Sequence, residues 1–346
     1  MPVMTVCGPV EADRLGVVLP HEHVLIDLRN QFTEFTDPPK RRISRQKLSP
    51  ANCDVVRRNP YAIRDNLLLD DVDLAVEELM CFRRAGGRTV VDCTSTGIDR
   101  NPEGLREIAR RTEMHLIAGS GYYTHDTHPP EMASWPVEKI AEEIVRDCTA
   151  GIGQTGIKAG VIGEVGTSDP IHPDERKNLC AAARAHQATR LPVFVHTYPW
   201  GTKGLEAADI LVRQGANPAR IVICHADVVC DLPYMRRLLN AGVWVEFDNF
   251  GKEFTLEPGD RGFAGGGFAR DSDRVRILKI LLNEGHEKRL LVTNDLCLKS
   301  MLHAYGGKGY DHILTHIVPL MRHEGIDEKA IERLLRHNPA ELLDAA

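Results

Sequence analysis

The sequence predicts a single (β/α)8 (TIM) barrel of the α/β class, on three observations. Eight short apolar runs rich in Val, Ile and Leu alternate with longer segments of helical period, which is typical of a parallel sheet surrounded by helices. The chain has 346 residues, and one α/β barrel commonly holds about 250 residues or more. No low-complexity linker divides the sequence. We therefore expect one domain over residues 1–346.

The apolar runs place the strands, and the segments between them place the helices. The strands are predicted at residues 16–26, 88–95, 115–123, 159–166, 192–197, 221–227, 243–249 and 290–295. The intervening amphipathic segments predict helices at 71–85, 102–112, 136–150, 174–189, 204–214, 232–240 and 271–284. Two connections are long, residues 29–65 after the first strand and 250–269 after the seventh. Connections that follow strands lie on the active face of a barrel, so we expect these two to shape a substrate pocket.

Composition excludes several classes of protein. The 43 basic and 49 acidic residues are well mixed, and a net charge of -6 with no basic run argues against nucleic-acid binding. No apolar run reaches the roughly 18 residues of a membrane helix, and the first residues lack the pattern of a targeting segment. The 9 cysteines are scattered, as is typical of reduced thiols. We expect a cytoplasmic protein that acts on a small molecule, with no nucleic-acid or membrane partner.

The most informative motif is Leu-Pro-His-Glu-His, at the end of the first apolar run. Side chains alternate along an extended segment, so His21 and His23 point to one side and Glu22 to the other. Such a pair on its own is as readily explained by ordinary surface or core histidines. Four more candidate ligands at the ends of other predicted strands favour a metal site. They are Glu164, His196, His225 and Asp295.

These six residues can come together because the carboxyl ends of all strands in a parallel barrel surround one mouth. Imidazole nitrogens and carboxylate oxygens suit zinc and its divalent neighbours. A catalytic zinc normally keeps three protein ligands and one open position, so six ligands are too many for one ion. Two metals that share a bridging carboxylate divide the set better.

The same residues give the chain a family resemblance over essentially its whole length. The signature Gly-x-x-Leu-Pro-His-Glu-His within residues 5–27 comes first, and the later motifs follow in order. They are residues 163–166, His196, residues 224–227, Asn294 with Asp295, and residues 338–340. Together they resemble the phosphotriesterase-like branch of the amidohydrolase superfamily, which includes phosphotriesterase-related proteins and lactonases. The resemblance implies two divalent metal ions per chain. His21, His23 and Asp295 would hold the first ion, and His196 and His225 the second.

The bridging position departs from the best-known members of that family. Many of them bridge the metals with a carboxylated lysine, whereas the aligned residue here is Glu164, as in a subset of homologues. A glutamate supplies the same two oxygens and the same single charge without modification. Lys158 lies upstream, where the strand should only begin. We therefore expect no carbamate, and zinc as the metal, with manganese or cobalt as alternatives.

The resemblance also implies a mechanism and a set of pocket residues. A hydroxide held between the two metals would attack the substrate, and Asp295 would accept the proton. Asp227 would orient His225 or relay that proton, or would serve only as a helix cap. Three further residues are candidates for substrate binding, namely Tyr122, Tyr123 and Arg274. One of the two tyrosine rings could instead be ordinary core, and Arg274 would line the mouth of the pocket or would simply be solvated at the start of a helix. For Trp200 and Lys252, a place in the pocket and an ordinary surface position are both open.

The substrate class is less sharply defined than the metal site. Hydrolysis of a lactone or related carboxylic ester ranks first, amide hydrolysis of an N-acyl compound second, and phosphotriester hydrolysis third. A lyase or isomerase on the same scaffold is an alternative, because fold alone does not determine chemistry. A non-catalytic barrel that binds metal or metabolite is another, although six retained ligands argue against it. The oligomeric state, including a homodimer, is left open.

Overall fold

The eight predicted strands are present and form one parallel sheet in a computed structural model, which describes residues 2–32, 34–35, 37–254, 256 and 263–344. They are β1 (Val17–Glu22), β2 (Gly87–Asp92), β3 (His115–Ser120), β4 (Val161–Thr167), β5 (Val193–Thr197), β6 (Ile221–Ile223), β7 (Trp244–Phe247) and β8 (Leu290–Val292). Each strand pairs in parallel with the next one along the chain. Just beyond β8, the backbone N–H of Asp295 donates to the His21 carbonyl at 3.3 Å. That contact brings β8 to β1, and the predicted (β/α)8 barrel is confirmed.

The seven predicted helices are also present, and each end lies within one residue of its predicted position. They are α1 (Val72–Arg84), α2 (Pro102–Thr112), α3 (Val137–Thr149), α4 (Pro173–Thr189), α5 (Gly204–Arg213), α6 (Leu232–Asn240) and α7 (Asp271–Asn283). Side-chain caps explain this accuracy, because Asp71, Asn101 and Asp231 each accept a hydrogen bond from the first turn of the following helix. No helix among the described residues is long and apolar enough to cross a bilayer.

Smaller elements lie outside the predicted set. The long connection after β1 contains the helices Pro38–Ser44 and Cys53–Arg58. Two short antiparallel pairs join Val3–Thr5 to Gly8–Val10, and Ile26–Asp27 to Leu68–Leu69. After β8 come α8 (Val318–His323), α9 (Glu328–Glu332) and α10 (Asn338–Leu343), with π-helical turns at Ile313–Ile317 and Arg333–His337.

Several strands end earlier than their apolar runs predict. The run at residues 221–227 forms a strand only as far as Ile223, and the last run only as far as Val292. His225 and Asp295 have positive φ angles of 62° and 46°, a left-handed conformation that cannot continue a strand. The candidate ligands on these two runs therefore lie in the first turn after the strand.

Burial is divided between two apolar layers. Alternate strand residues such as Val18, Val91 and Val222 pack together inside the barrel, closed at one end by Leu342 and Leu343 of α10. The residues between them pack under the surrounding helices in a second, larger cluster. Apolar side chains fill the barrel interior near the end that α10 closes. The polar residues of the strands are therefore concentrated at the other end, where the strands have their carboxyl termini.

Candidate metal centre and substrate cavity

The six candidate ligands meet at the carboxyl end of the barrel, and all are buried. Glu164 lies at the middle of the group. Its Oε1 is 3.4 Å from Nε2 of His23, while its Oε2 is 3.5 Å from Nε2 of His21. The same Oε2 is 3.4 Å from Nδ1 of His196 and 3.5 Å from Nε2 of His225. One carboxylate thus faces four imidazoles, as a bridging ligand must.

Asp295 completes the group from the other side of the barrel. Its Oδ1 is 3.1 Å from Nε2 of His23 and 3.8 Å from Nε2 of His21. Its Oδ2 contacts the ammonium group of Lys252 and is 3.7 Å from Nδ1 of His225. One oxygen of Asp295 therefore faces the first histidine pair, and the other faces Lys252.

The donor set is suited to a divalent cation. Ligand atoms of His21, His23 and Glu164 lie within 4.8 Å of one another, as do those of Glu164, His196 and His225. Nε2 of His21 and Oε2 of Glu164 are buried, yet they have no hydrogen-bond partner among the described residues. A buried polar atom left unpaired costs about 1–3 kcal/mol, and a metal ion bound here would satisfy both atoms. The cluster could therefore hold metal.

Three further side chains orient these histidines. Glu246 of β7 lies with Oε2 2.9 Å from Nδ1 of His21, and Thr94 lies with Oγ1 2.9 Å from Nδ1 of His23. Asp248 lies with Oδ2 3.1 Å from Nδ1 of His225 and also accepts the backbone N–H of that residue. With Nδ1 engaged in each ring, Nε2 is directed toward Glu164, which is how outer residues orient metal-binding imidazoles.

Sequence reasoning missed these supporting residues. Glu246 and Asp248 flank Phe247 with the same period of two that identified His21 and His23, at the end of the seventh apolar run. That spacing was the available signal. The spacing shows that two side chains share a face, but it does not distinguish residues that orient ligands from the ligands themselves.

The electrostatics of the site also favour cations. Burial lowers the pKa of His21, but Glu246, Glu164 and Asp295 together outweigh burial and raise that pKa to about 10. Burial raises the pKa of Asp248 to about 7, although His225 opposes the shift. Burial acts against the charge of Glu164 as well, yet His196 and the other imidazoles hold its pKa well below the usual range. The imidazoles therefore favour the charged form of Glu164, and a bound metal ion would do the same.

Glu22 points away from the ligands, as the alternation along β1 predicts. It accepts hydrogen bonds from Oγ1 of Thr293 at 2.6 Å, the backbone N–H of Asn294 at 2.8 Å and the backbone N–H of Leu296 at 2.7 Å. These bonds fasten the end of β1 to the turn that carries Asp295. Burial raises the pKa of the Glu22 carboxyl, while the donors oppose that shift.

A cavity opens above the ligands, with about 510 Å³ of open space including its mouth. Its wall is largely aromatic and aliphatic, and it also contains a few polar groups. The apolar part includes Leu28, Tyr61, Phe254, Phe263 and Phe268, and the polar part includes Gln31, Asn249 and Lys252. Most of these residues come from the segments after β1 and β7, so the prediction that these long connections shape the pocket is confirmed.

The two neighbouring tyrosines face opposite ways. Tyr123 lines the cavity, its ring centroid 4.6 Å from that of His196, and its hydroxyl accepts a hydrogen bond from Gln31 at 3.1 Å. Tyr122 packs against Trp135 and donates its hydroxyl proton to Glu143 on α3. Tyr122 therefore packs away from the cavity, because consecutive residues of an extended segment point to opposite sides, and its contacts do not support the expectation that it binds substrate.

Arg274 also differs from its predicted position. It is wholly buried rather than at the mouth of the cavity. Its Nε lies 3.0 Å from Asp227, and its terminal nitrogens donate to Asp271 at 3.1 Å and to the backbone carbonyl of Lys252 at 3.3 Å. The first turn of α7 points this guanidinium into the layer between helix and strands, where two carboxylates neutralise it.

The contacts of Asp227 match neither the orientation of His225 nor a helix cap. Its carboxylate accepts the backbone N–H and the side-chain amide of Asn249, in addition to the ion pair with Arg274. Asp248 orients His225, and Asp231 caps α6. Of the two undecided residues, Lys252 lines the cavity. Trp200 packs against Phe263 and Phe268, behind that wall.

Replacing Arg274 by Ala should therefore destabilise the fold. The change leaves Asp227 buried without its cation and removes one of the cations beside Asp271, and breaking a buried ion pair in this way typically costs about 3–5 kcal/mol. Urea unfolding followed by circular dichroism measures the loss. Arg276→Ala, two residues along the same helix with an exposed side chain, is the control and should change stability by less than about 0.5 kcal/mol. If the Arg274 variant unfolded at the same urea concentration as the wild type and had a raised KM, Arg274 would have to bind substrate instead.

The sequence matches a known protein family and is similar to several known proteins. The phosphotriesterase family model matches residues 1–343. The N-acetyltaurine hydrolase of Danio rerio is 36% identical over 339 residues, covering 97% of this chain and 96% of that protein. The phosphotriesterase-related protein of Nematostella vectensis is 34% identical over 339 residues, with the same coverage of 97% and 96%.

Two solved structures are similar over nearly the whole chain. A resiniferatoxin-binding protein from Rhodobacter sphaeroides superposes with a TM-score of 0.95 at 33% identity, covering 99% of this chain and 95% of that one. A phosphotriesterase homology protein from Escherichia coli, complexed with phosphate in its active site, superposes with a TM-score of 0.79 at 28% identity, covering 96% and 100%.

Proposed function

Since this chain belongs to the phosphotriesterase family and is a hydrolase, we propose that it cleaves the amide bond of a small N-acyl compound with an anionic end. It does so with two divalent metal ions, of which zinc fits the imidazole and carboxylate donors best. The observation that carries the proposal is one cavity that is lined by five of the six candidate ligands, including the proposed proton acceptor Asp295, and by Lys252.

In the proposed centre, His21, His23 and Asp295 would hold the first ion. His196 and His225 would hold the second, and Glu164 would be the ligand shared by both. The contacts of Glu164 support a shared ligand, since its Oε1 is nearest His23 of one set while its Oε2 lies near His196 and His225 of the other set and also near His21. When bound, such a pair of ions supplies hydroxide near neutral pH and polarises the carbonyl of the substrate.

The residues of the chain handle the proton and the substrate. An amine is a poor leaving group unless it is protonated, so amide cleavage needs a base that later acts as an acid. Asp295 suits that role because its Oδ2 faces the cavity side of the site, toward Lys252. Tyr123, Tyr61 and the phenylalanines of the wall exclude water around the acyl group.

Amide hydrolysis moves ahead of the lactone hydrolysis that the sequence ranked first. Several curated relatives are named N-acetyltaurine hydrolase, and the name describes a small acyl amide with a sulfonate. A cavity that contains one ammonium group in a mostly apolar wall suits such a molecule better than a bulky neutral phosphotriester. Lactones and esters remain the second candidate, because the same chemistry attacks their carbonyl group.

A substrate panel with metal analysis tests the proposal. The protein is purified without chelator and supplied with zinc, and close to two metal ions per chain are expected. N-acetyltaurine and N-acetyl-β-alanine should be hydrolysed faster than γ-butyrolactone, phenyl acetate or diethyl 4-nitrophenyl phosphate. Removal of metal by a chelator should abolish turnover, and zinc should restore it. At most one ion per chain would rule out the binuclear centre, and turnover confined to the lactone, ester or phosphotriester would rule out the amide assignment.

A further inference from the structure

We infer that Lys252 selects substrates by binding their anionic group with the N–H groups of its ammonium that Asp295 does not use. The inference rests on the proposed function, because it concerns the substrate of the same cavity. It assigns a specificity-determining role to a residue on the loop of residues 249–253, here called the Lys252 loop.

The wall of the cavity contains the positive charge of Lys252. Among the described residues that line the cavity, Lys252 is the only lysine or arginine. It is 6% exposed, so its ammonium group is largely removed from bulk water. The nearby Phe254, Phe263 and Phe268 lower the local polarity. An ion pair formed there is stronger than one formed at the protein surface.

The hydrogen bonding of the ammonium group is incomplete. A lysine ammonium has three donors, and the described residues provide one acceptor for it, Oδ2 of Asp295. The other oxygen of Asp295 faces His23 and His21, so Asp295 can bind metal and Lys252 at the same time. Two N–H groups remain for a ligand, and a sulfonate or carboxylate supplies oxygens for both.

The Lys252 loop is fixed before any ligand arrives. The backbone N–H of Gly251 donates to Asp271 at 2.9 Å, and the Lys252 carbonyl accepts from the buried Arg274 at 3.3 Å. Asp271 in turn contacts His312 at 2.8 Å and Lys308 at 3.1 Å. Gly251 has a φ of +89°, which other residues rarely adopt. A loop held on both sides loses little entropy when an anion binds, so the attraction is retained as affinity.

The position of the charge defines the substrate class more narrowly than the family does. An anionic end bound at Lys252 leaves the acyl group beside Glu164 and Asp295, so the molecule must be short. A neutral amide of the same length would leave the ammonium without an additional partner. We therefore expect selection for short N-acyl amines that end in a sulfonate or a carboxylate.

The test compares two amides with chains of equal length, N-acetyltaurine and the neutral N-propylacetamide, on the zinc-loaded enzyme. Lys252→Met keeps the length of the side chain and removes its charge. It should raise KM for N-acetyltaurine by about 30-fold or more, as expected for one partner of a buried charge pair, and leave KM for N-propylacetamide within about threefold. Lys252→Gln, a second uncharged variant, should behave alike. Lys288→Met removes an exposed lysine elsewhere and should leave both KM values unchanged.

Two outcomes would overturn the inference. One is an equal fall of kcat for both amides with KM unchanged, since Lys252 would then only position Asp295. The other is provided by pentane-1-sulfonate, an anion of matching length that cannot be hydrolysed. Calorimetry should show that it binds the wild-type and Lys288→Met proteins at least about tenfold more tightly than the Lys252→Met protein. Equal affinities would refute anion recognition by Lys252. Because this measurement needs no turnover, its result does not depend on whether the proposed amide hydrolysis is correct.

Discussion

Replacing Asp295 by Asn should lower kcat at least about 100-fold while the metal ions stay bound. The amide oxygen can still face His23 as the carboxylate does, but the substituted side chain cannot accept a proton, and loss of a general base typically costs 10²–10⁴-fold. Burial alone would raise the pKa of Asp295, but Lys252 and the imidazoles outweigh it and hold the pKa well below its usual range. The carboxylate of Asp295 is therefore ionised at neutral pH.

Steady-state kinetics combined with metal analysis measures this effect. A lower kcat with unchanged metal content is the expected result, because it separates loss of the base from loss of the centre. Asp209→Asn, which changes an exposed carboxylate on α5, is the matched control and should keep wild-type kinetics. If the Asp295 variant retained both its metals and its full kcat, the proton acceptor would have to be another group.

Glu164→Ala should lose activity that neither metal nor bicarbonate restores. Among the residues that the structure describes, Glu164 has the one carboxylate that faces all four candidate imidazoles, so its removal leaves the two halves of the proposed centre without a shared ligand. We expect kcat to fall at least about 100-fold, since changes to groups that only support a metal ligand already cost 10–100-fold. The wild-type protein, once stripped of metal, should recover full activity with zinc alone in carbon-dioxide-free buffer.

Lys158→Met is the control for the bridging position. Lys158 precedes β4, which begins at Val161, so it is in the sequence before the strand that carries Glu164. The variant should be reactivated by zinc as the wild type is. If reactivation of the wild type required bicarbonate, or if the Lys158 variant were inactive, a carboxylated lysine would be the bridge and the assignment of Glu164 would fail.

Much of the site could be predicted because it depends on regular geometry. A period of two determines which residues of a strand share a face, which is why His21, His23 and Glu22 lie as predicted. Parallel strands with their ends at one mouth then bring Glu164 and the other ligands together. The helices could be predicted to within one residue because polar caps mark their first turns.

The errors have physical causes that one sequence does not reveal. The side-chain direction of Arg274 depends on where the first turn of α7 packs, and its partners Asp227 and Asp271 are far apart in the chain. Tyr122 and Tyr123 are equivalent in the sequence, and only the register of β3 and the turn after it decides which one faces the cavity. The left-handed turns at His225 and Asp295 shorten β6 and β8 in a way that apolar content does not indicate.

The contacts of Glu22 have a consequence for how the protein is made. Glu22 and its partner Leu296 are 274 residues apart in the chain, and the histidine pair beside Glu22 meets its aspartate through the same junction. During synthesis, His21 and His23 cannot meet Asp295 until the segment after the last barrel strand has left the ribosome. A product that stops before that strand lacks Asp295 and the seam that closes the barrel. The candidate metal centre can therefore form only after the final barrel strand has been translated.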